Sequence, residues 1–300
     1  MDWRRFLLML ALAMLVLFAV VIWFYPSSED FRVDNPSWNG GKAFAAHFDA
    51  STLRSLQDLP TDPEGTVLVV IPYTDFTEAE LGGLESYVSG GGTLILADDY
   101  GYGNEVLDYL GLDGRFVGEP LLDPLFNYKN GWFPRVTDFT PSPMTEDVES
   151  VVLNHATSLE TGSGFEVIAQ TSKSSFLDLN DNLNWDEGEP TGPLPISARI
   201  SVGQGMVILL ADPSIVLNSM RGLEDNERFT KNILEIRSPE PEILLDQSHL
   251  PEASLDEAKG RLRVARDALS SPLGIMGLVA AVLTVTLMPI WRKRKRGNNG

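Results

Sequence analysis

The chain has no cysteine among its 300 residues. Disulfide frameworks, thiolate zinc sites and cysteine-nucleophile mechanisms are therefore excluded. Positive charge is also scarce, because 23 Lys and Arg stand against 42 Asp and Glu, a formal net charge of −19. Binding of nucleic-acid phosphates requires a basic face, so this balance argues against a nucleic-acid partner. The three histidines, His47, His155 and His249, are too widely spaced for a His-Glu-x-x-His zinc site, and we interpret them as structural.

Two uncharged apolar runs, residues 6–25 and 273–291, are long enough to cross a membrane. A helix of about 20 residues spans a hydrocarbon core of about 30 Å. A cleaved signal peptide is the alternative for the first run, but that run is longer than a signal-peptide apolar region and no small-x-small cleavage site follows it. Basic residues precede the first run and follow the second, which predicts that both termini are cytoplasmic and that 26–271 lies outside.

These features predict six segments and a membrane as a partner of the chain. They are a cytoplasmic N-terminus 1–5, a transmembrane helix 6–25, an extracytoplasmic α/β domain 26–240, a stalk with a charged helix 241–272, a transmembrane helix 273–291 and a basic cytoplasmic tail 292–300. The part between the two apolar runs, 26–271, holds 16 basic and 41 acidic residues, a formal charge of −25. Such acidity is typical of a solvated surface, and it would also suit divalent cations.

The extracytoplasmic part alternates short apolar runs with helical patterns, which predicts a mostly parallel sheet flanked by helices. Its clearest unit has a β-branched strand at 66–72, a helix at 77–89 and a second buried strand at 93–99. Further elements are predicted as a helix at 105–110, a strand at 166–170, a hairpin of 196–202 with 206–211, helices at 214–220 and 225–236, and a charged helix at 254–269.

Four segments together carry a family resemblance: NPSWNGGKAF (35–44), YVSGGGTLILADDYGYGN (87–104), LDLNDNLNWDEGEPTGP (177–193) and GQGMVILLADPSIVLN (203–218). The chain resembles membrane-anchored archaeal and bacterial proteins whose outer domain, of unknown function, has a class I glutamine-amidotransferase-like fold. The resemblance implies a flavodoxin-like three-layer sandwich and a setting near MoxR-type ATPases and von Willebrand-like proteins. It does not imply amidotransferase activity, because the turn that matches the nucleophile elbow is Asp98-Asp99-Tyr100-Gly101, without cysteine.

The strongest metal-binding pattern is the Asn/Asp loop, DLNDNLNWDEGE, at 178–189. Oxygen-bearing side chains fall at the loop positions by which a twelve-residue loop encloses Ca²⁺: Asp178, Asn180, Asn182, Asn184, Asp186 and Glu189. Leu183 departs from the motif, since the sixth position normally holds glycine. The alternative is a solvated hairpin loop rich in turn-forming residues.

Ligand-pocket candidates follow two predicted strands, where open α/β sheets bind ligands beyond the carboxyl ends of their strands. They are Asp98, Asp99, Tyr100, Tyr102, Asn104 and Asp212. The alternative is that the aspartates cap the turns and helices that follow. The Gly-Tyr-Gly-Asn turn lacks the third glycine of a dinucleotide fingerprint, so nicotinamide binding is not expected.

Two functions are compatible with these patterns. The first is a membrane-anchored, non-catalytic extracytoplasmic domain for ligand binding or complex assembly, with protein partners, a MoxR-type ATPase system and Ca²⁺ among its expected associations. The alternative is a metal-assisted hydrolase that uses Asp98 or Asp99. We favour the first, because the sequence shows no convergent acid, base and nucleophile.

Overall fold

The computed structural model describes residues 3–251, 254–277, 279–280, 283–284 and 287. The chain divides into two compact units, one formed by 28–251 and the other by 1–27 together with 252–300. Within the described residues the α-helices are α1 Trp3–Phe24, α2 Lys42–His47, α3 Glu78–Ser89, α4 Asn104–Tyr109, α5 Asn226–Leu234 and α6 Ser254–Ser270.

The terminal unit contains α1 and α6. Among the described residues, α1 is the one helix long and apolar enough to cross a membrane, a property of length and composition that a signal sequence would share. The charged helix predicted at 254–269 is present as α6. Of the predicted second span 273–291, residues 273–277, 279–280, 283–284 and 287 are described and helical, and the remainder lies outside the described residues, as does the basic tail 292–300.

The globular unit is built on strands, which the described residues place as follows: β1 Ser51–Leu53, β2 Thr66–Val70, β3 Thr93–Ala97, β4 Gly114–Phe116, β5 Leu121–Leu122, β6 Arg135–Val136, β7 Asp138–Phe139, β8 Val151–Val152, β9 Leu159–Thr161, β10 Glu166–Gln170, β11 Phe176–Leu177, β12 Pro195–Val202, β13 Gly205–Leu210 and β14 Glu242–Asp246. Eight of them form one sheet in the order β1-β14-β2-β3-β13-β12-β10-β7. Neighbouring strands pair in parallel from β1 to β13 and antiparallel from β13 to β7, which confirms a mixed α/β fold with a large, mostly parallel central sheet.

The predicted β-α-β unit is present as β2, α3 and β3. Every residue of both strands is buried, as expected for strands covered on both faces. A capping box starts the helix, since Thr77 accepts from the Glu80 N–H while the Glu80 carboxylate accepts from the Thr77 N–H. After the helix, Gly91 adopts φ +114°, which brings the chain into β3 without side-chain strain.

The predicted hairpin is present as β12 and β13, whereas the helix predicted at 214–220 is wrong. In its place a single 3-10 turn, Pro213–Val216, is followed by extended backbone at Leu217. The physical reason is Asn218, whose N–H donates to the Gly40 carbonyl and whose side-chain oxygen accepts from the Ala43 N–H. Tertiary hydrogen bonds to the N-terminal segment thus replace the next turn of helix.

The globular unit extends beyond the predicted domain boundary at residue 240. Strand β14, which the sequence placed in the stalk, lies inside the sheet between β1 and β2 and pairs with both in parallel. Its residues Ile243, Leu244 and Leu245 are buried. A short run of three aliphatic residues after Pro241 is therefore enough to form an interior strand when two neighbours flank it.

Candidate functional site

The parallel strands β2, β3, β13 and β14 end at one edge of the sheet, because their registers run side by side. Polar residues follow each of these ends: Tyr73 after β2, Asp98 and Asp99 after β3, Asp212 after β13, and Asp246 at the end of β14. This carboxyl edge is where open α/β sheets bind ligands. The predicted pocket residues gather there, but their side chains have different tasks.

Asp98 holds the turn that follows β3. Its buried carboxylate accepts the N–H groups of Tyr100 at 2.8 Å, Gly101 at 3.0 Å and Gly103 at 2.6 Å. Burial raises the pKa of Asp98, and these N–H groups oppose that rise. Since both oxygens are engaged by the backbone, Asp98 acts as a turn cap, the alternative considered from the sequence.

Asp212 has the same task after β13. One carboxylate oxygen caps the following 3-10 turn by accepting the Ser214 N–H at 2.7 Å, and the other accepts the Asn154 N–H at 2.7 Å. Burial raises the pKa of Asp212 to about 6, with the Asn154 and Ser214 N–H groups opposing. The side chain therefore joins two loops and is not available to a ligand.

Asp99 differs from both, because no side chain and no other residue's N–H donates to its carboxyl group among the described residues. Burial raises the pKa of Asp99 to about 8, and the nearby carboxylates of Asp212 and Asp98 add to the rise. A carboxyl group with this pKa is mostly protonated at pH 7. At the edge of the sheet, Asp99 is thus a neutral hydrogen-bond donor that is partly open to solvent.

Two tyrosines, Tyr73 and Tyr100, lie close enough to Asp99 for its charge to affect their pKa values. The rings of Tyr73 and Tyr100 meet edge to face with centroids 5.7 Å apart. Burial raises the pKa of both hydroxyl groups, and the negative charge of Asp99 contributes to each rise. Asn104, also predicted as a pocket residue, instead exchanges two hydrogen bonds with the backbone of Phe116.

A cleft of about 640 Å³ opens beside these tyrosines. It is lined by Asp75, Phe76, Tyr100, Gly101, Tyr102 and Glu105. We call it the Tyr100–Tyr102 cleft, after the two rings that are 63% and 42% exposed in it. Of the predicted pocket residues, this cleft brings together Tyr100 and Tyr102, whereas Asp98, Asn104 and Asp212 serve the loops around it.

A buried cluster behind the cleft was missed from the sequence. His249 Nδ1 lies 2.7 Å from Asp246 Oδ2, and its ring stacks on Phe76 at a centroid distance of 4.2 Å. The Nε2 atom lies 3.9 Å from Glu80 Oε2. The Ser248 hydroxyl also donates to Asp246, at 2.6 Å. In a catalytic triad the serine hydroxyl would instead contact the Nε2 atom of the histidine, so this cluster is not such a triad. In the sequence, the only sign of this cluster is the spacing of Asp246 and His249, three residues apart at the end of β14.

The Asn/Asp loop closes on its own backbone. Buried Asp178 accepts the N–H groups of Asn182 at 3.1 Å and Leu183 at 2.7 Å. Glu189 accepts the Leu179 and Asp186 N–H groups, each at 2.9 Å. The remaining candidates lie at the exposed tip of the loop. There the side-chain amides of Asn180 and Asn182 donate to the Asp186 carboxylate and lower its pKa. The side-chain amide of Asn184 donates to the backbone carbonyl of Asn182. Within the part of the chain that the structure describes, no three His, Asp or Glu side chains converge as a metal site.

Comparison with solved structures shows the fold. The N-terminal domain of mmIFT52 superposes with a TM-score of 0.54 at 13% sequence identity, covering 71% of this chain and 95% of that domain. A putative ThuA-like protein from Bacteroides uniformis gives a TM-score of 0.39 at 14% identity, covering 66% of this chain and 82% of its own. The cytoplasmic protein STM1381 from Salmonella typhimurium gives 0.41 at 15% identity, covering 65% and 79%.

Comparison of sequences gives one family. The family of a domain of unknown function, DUF4350, matches residues 33–234, which include β1 to β13 and the Tyr100–Tyr102 cleft. No curated protein matches the chain.

Proposed function

The chain belongs to the DUF4350 family, whose function is unknown, and we propose that it is a membrane-anchored, non-catalytic binding domain whose ligand occupies the Tyr100–Tyr102 cleft. The observation that carries the proposal is the difference between Asp98, Asp99 and Asp212 at the carboxyl edge, beside the cleft. Asp98 and Asp212 are engaged by backbone N–H groups, and Asp99 is mostly protonated at pH 7. A ligand would therefore meet the lining of the cleft itself, which presents the exposed rings of Tyr100 and Tyr102 beside the side chains of Asp75 and Glu105.

The metal-assisted hydrolase is the weaker candidate for the same reason. A hydrolytic metal ion needs ionised carboxylates that point towards it. Such a mechanism would use Asp98 and Asp99. Asp98 accepts backbone N–H groups, and Asp99 is mostly protonated at pH 7. The proposal of a binding domain needs neither ionised group.

We interpret the fold as the three-layer, class I glutamine-amidotransferase-like sandwich. Along the sheet order, the connection from β2 to β3 runs in one direction and that from β13 to β14 in the other. Because parallel crossovers are right-handed, the helices α3 and α5 in these connections should cover opposite faces. Amidotransferase chemistry is not part of the proposal, since the chain has no cysteine.

The membrane setting of the proposal combines α1 with the apolar run 273–291. The basic residues at both ends favour a cytoplasmic position for both termini and an extracytoplasmic position for the binding domain. A MoxR-type ATPase system as partner follows from the family resemblance, and its ATPase would then act on the cytoplasmic side. This arrangement suits a domain that assembles with, or reports to, a complex across the membrane.

Calcium binding by the Asn/Asp loop is a second candidate role. The observation in its favour is Leu183, which adopts φ +63°, the left-handed conformation that the sixth position of a calcium loop normally obtains from glycine. Although Leu183 replaces the usual glycine, its backbone therefore has the conformation that a calcium loop requires at this position. Each carboxylate oxygen of Asp178 and Glu189 accepts one N–H and has a further lone pair for a cation.

Hydrogen exchange measured by mass spectrometry tests the proposed site. The full chain in detergent is exposed to the low-molecular-weight fraction of its own cells, and slower exchange is expected at 73–76 and 100–105. The double variant Tyr100→Ala with Tyr102→Ala should lose this protection. Trp38→Ala, which removes an exposed aromatic ring elsewhere, should retain it. Protection confined to other segments, or none, would overturn the assignment of the cleft.

A further inference from the structure

Large apolar side chains face solvent around the Asn/Asp loop. Two adjoining cavities of about 450 and 500 Å³ share Pro124, Phe176 and Leu183 as walls. Trp185 lines the first and Trp132 the second. We call the two cavities together the Trp185 groove. Leu125 and Phe126, next to Pro124, are 74% and 55% exposed and extend the apolar surface.

The fold itself does not account for this surface. Leu183 is 55% exposed although its backbone is in the left-handed region, where a branched side chain costs about 1 kcal/mol or more. Trp185 is 53% exposed, and its indole N–H makes one long hydrogen bond, 3.4 Å, to the Glu189 carbonyl. Contiguous apolar surface of this kind marks interaction sites on soluble domains.

The charge of the groove is opposite to that of the domain. Lys129 and Lys173 line it, whereas 26–271 as a whole carry a formal charge of −25. Neither lysine forms an ion pair with any residue that the structure describes, and Lys129 lies over the Tyr128 ring at 5.4 Å. Two exposed ammonium groups beside an aromatic groove favour an anionic group on whatever binds there.

Asparagines supply polar contacts along the groove. Asn127 and Asn184 use their amide N–H groups on nearby backbone carbonyls, and the Asn130 side-chain oxygen accepts the Trp132 N–H. Among the described residues, no hydrogen bond is made by the side-chain carbonyl oxygens of Asn127 and Asn184 or by the side-chain NH₂ group of Asn130. These groups remain available as acceptors and a donor for the backbone of a bound peptide.

We propose that the Trp185 groove binds an extended segment of a partner protein that combines apolar side chains with acidic residues. The apolar side chains would enter the two cavities, and the carboxylates would meet Lys129 and Lys173. A membrane surface is the alternative occupant, and binding to lipid vesicles distinguishes it from a peptide. This site is separate in its residues from the Tyr100–Tyr102 cleft, so either can fail without the other.

Peptide display against the full chain in zwitterionic nanodiscs tests the proposal. Enriched sequences are expected to contain at least one aromatic or large aliphatic residue beside Asp or Glu. For a synthetic peptide from the enriched set, Trp185→Ala should weaken binding at least about tenfold, as expected for a central aromatic anchor. The double variant Lys129→Glu with Lys173→Glu should also weaken binding of this peptide and reduce the salt dependence of its binding. Lys42→Glu, the same kind of substitution at one exposed lysine of α2, should leave peptide binding unchanged.

Three outcomes would overturn the proposal. One is enrichment of basic peptides or of none. Another is binding that both the Trp185 and the lysine variants retain while their melting temperatures match the wild type. The third is binding of the chain in zwitterionic nanodiscs to vesicles of three parts phosphatidylcholine to one part phosphatidylglycerol that Trp185→Ala abolishes, which would assign the groove to the membrane.

Discussion

Replacing Asp99 with asparagine tests the central electrostatic feature of the carboxyl edge. The substitution keeps the size and shape of the side chain but removes its titration. In the unfolded chain an aspartate has its ordinary pKa of 3.8, and burial beside Asp212 and Asp98 raises the pKa of Asp99 to about 8 in the folded state. Folding therefore holds a proton that the unfolded chain releases above about pH 4.

The sign and size of the effect follow from this difference. Below about pH 4 the carboxyl group is protonated in both states and costs nothing. As the pH rises from about 4 to 8, the unfolded state gains by ionising, so the wild type loses about 1.4 kcal/mol per pH unit. Between pH 5 and 7 this amounts to about 2.7 kcal/mol, reduced to about 2 kcal/mol because Asp99 is partly exposed. Asp99→Asn escapes this loss, so its free energy of unfolding should rise relative to that of the wild type as the pH increases.

Urea unfolding of the full chain in detergent, followed by tryptophan fluorescence at pH 5, 6 and 7, measures this difference. The variant should become more stable than the wild type by about 2 kcal/mol between the two extremes. Asp62→Asn, at an exposed surface position, should follow the wild-type curve. Parallel wild-type and Asp99→Asn curves, or a wild type that gains stability with pH relative to the variant, would refute a protonated Asp99.

Four further predictions concern other parts of the chain. Ca²⁺ at a hundredfold excess over its Kd should stabilise the full chain by about 2.7 kcal/mol in thermal melts, more than Mg²⁺ does, and Asp178→Ala with Glu189→Ala should abolish the effect; equal melting in calcium and chelator would contradict it. Protease added to right-side-out vesicles should digest 26–271, and complete protection would reverse the orientation. The purified chain should release no ammonia from glutamine, which turnover that survives control purifications would contradict. Asp98→Ala should destabilise the fold by about 3 kcal/mol in urea, because it leaves three N–H groups of a tight turn without their acceptor, and an unchanged midpoint would disprove the capping role.

Much of the fold could be predicted where local signals agree. Strand β2 is a continuous β-branched run, and α3 begins with a capping box readable from Thr77 and Glu80. Strand β14 could not be predicted, because its short aliphatic run forms a strand by pairing with β1 and β2. These two strands are neighbours of β14 in the sheet but lie far from it in the sequence. The helix predicted at 214–220 failed because Asn218 bonds to the distant segment around Gly40, which no local pattern encodes.

The candidate site was predictable in position but not in the roles of its residues. Strand ends located the carboxyl edge, and the aspartates there were recognised as either ligands or caps. Only the structure shows that backbone N–H groups donate to Asp98 and Asp212, whereas Asp99 has no such donor among the described residues. The difference depends on the positions of the Gly103 and Asn154 N–H groups in the folded chain. The cluster of His249 with Asp246 required β14, and it was missed for the same reason as that strand.

The chemistry of the carboxyl edge is the main argument for the proposed binding role over the hydrolase alternative. In the proposed amidotransferase-like fold, the turn after β3 would match the nucleophile elbow, and this chain carries Asp98 and Asp99 there. A carboxylate can replace a nucleophile only when it is ionised and free to approach a substrate. Asp98 is fixed by three N–H groups, and burial together with the charges of Asp212 and Asp98 keeps Asp99 protonated, so neither condition is met at the same residue. The capping that stabilises the loops thus also helps to keep Asp99 neutral, which fits the proposed binding role better than hydrolysis by Asp98 or Asp99.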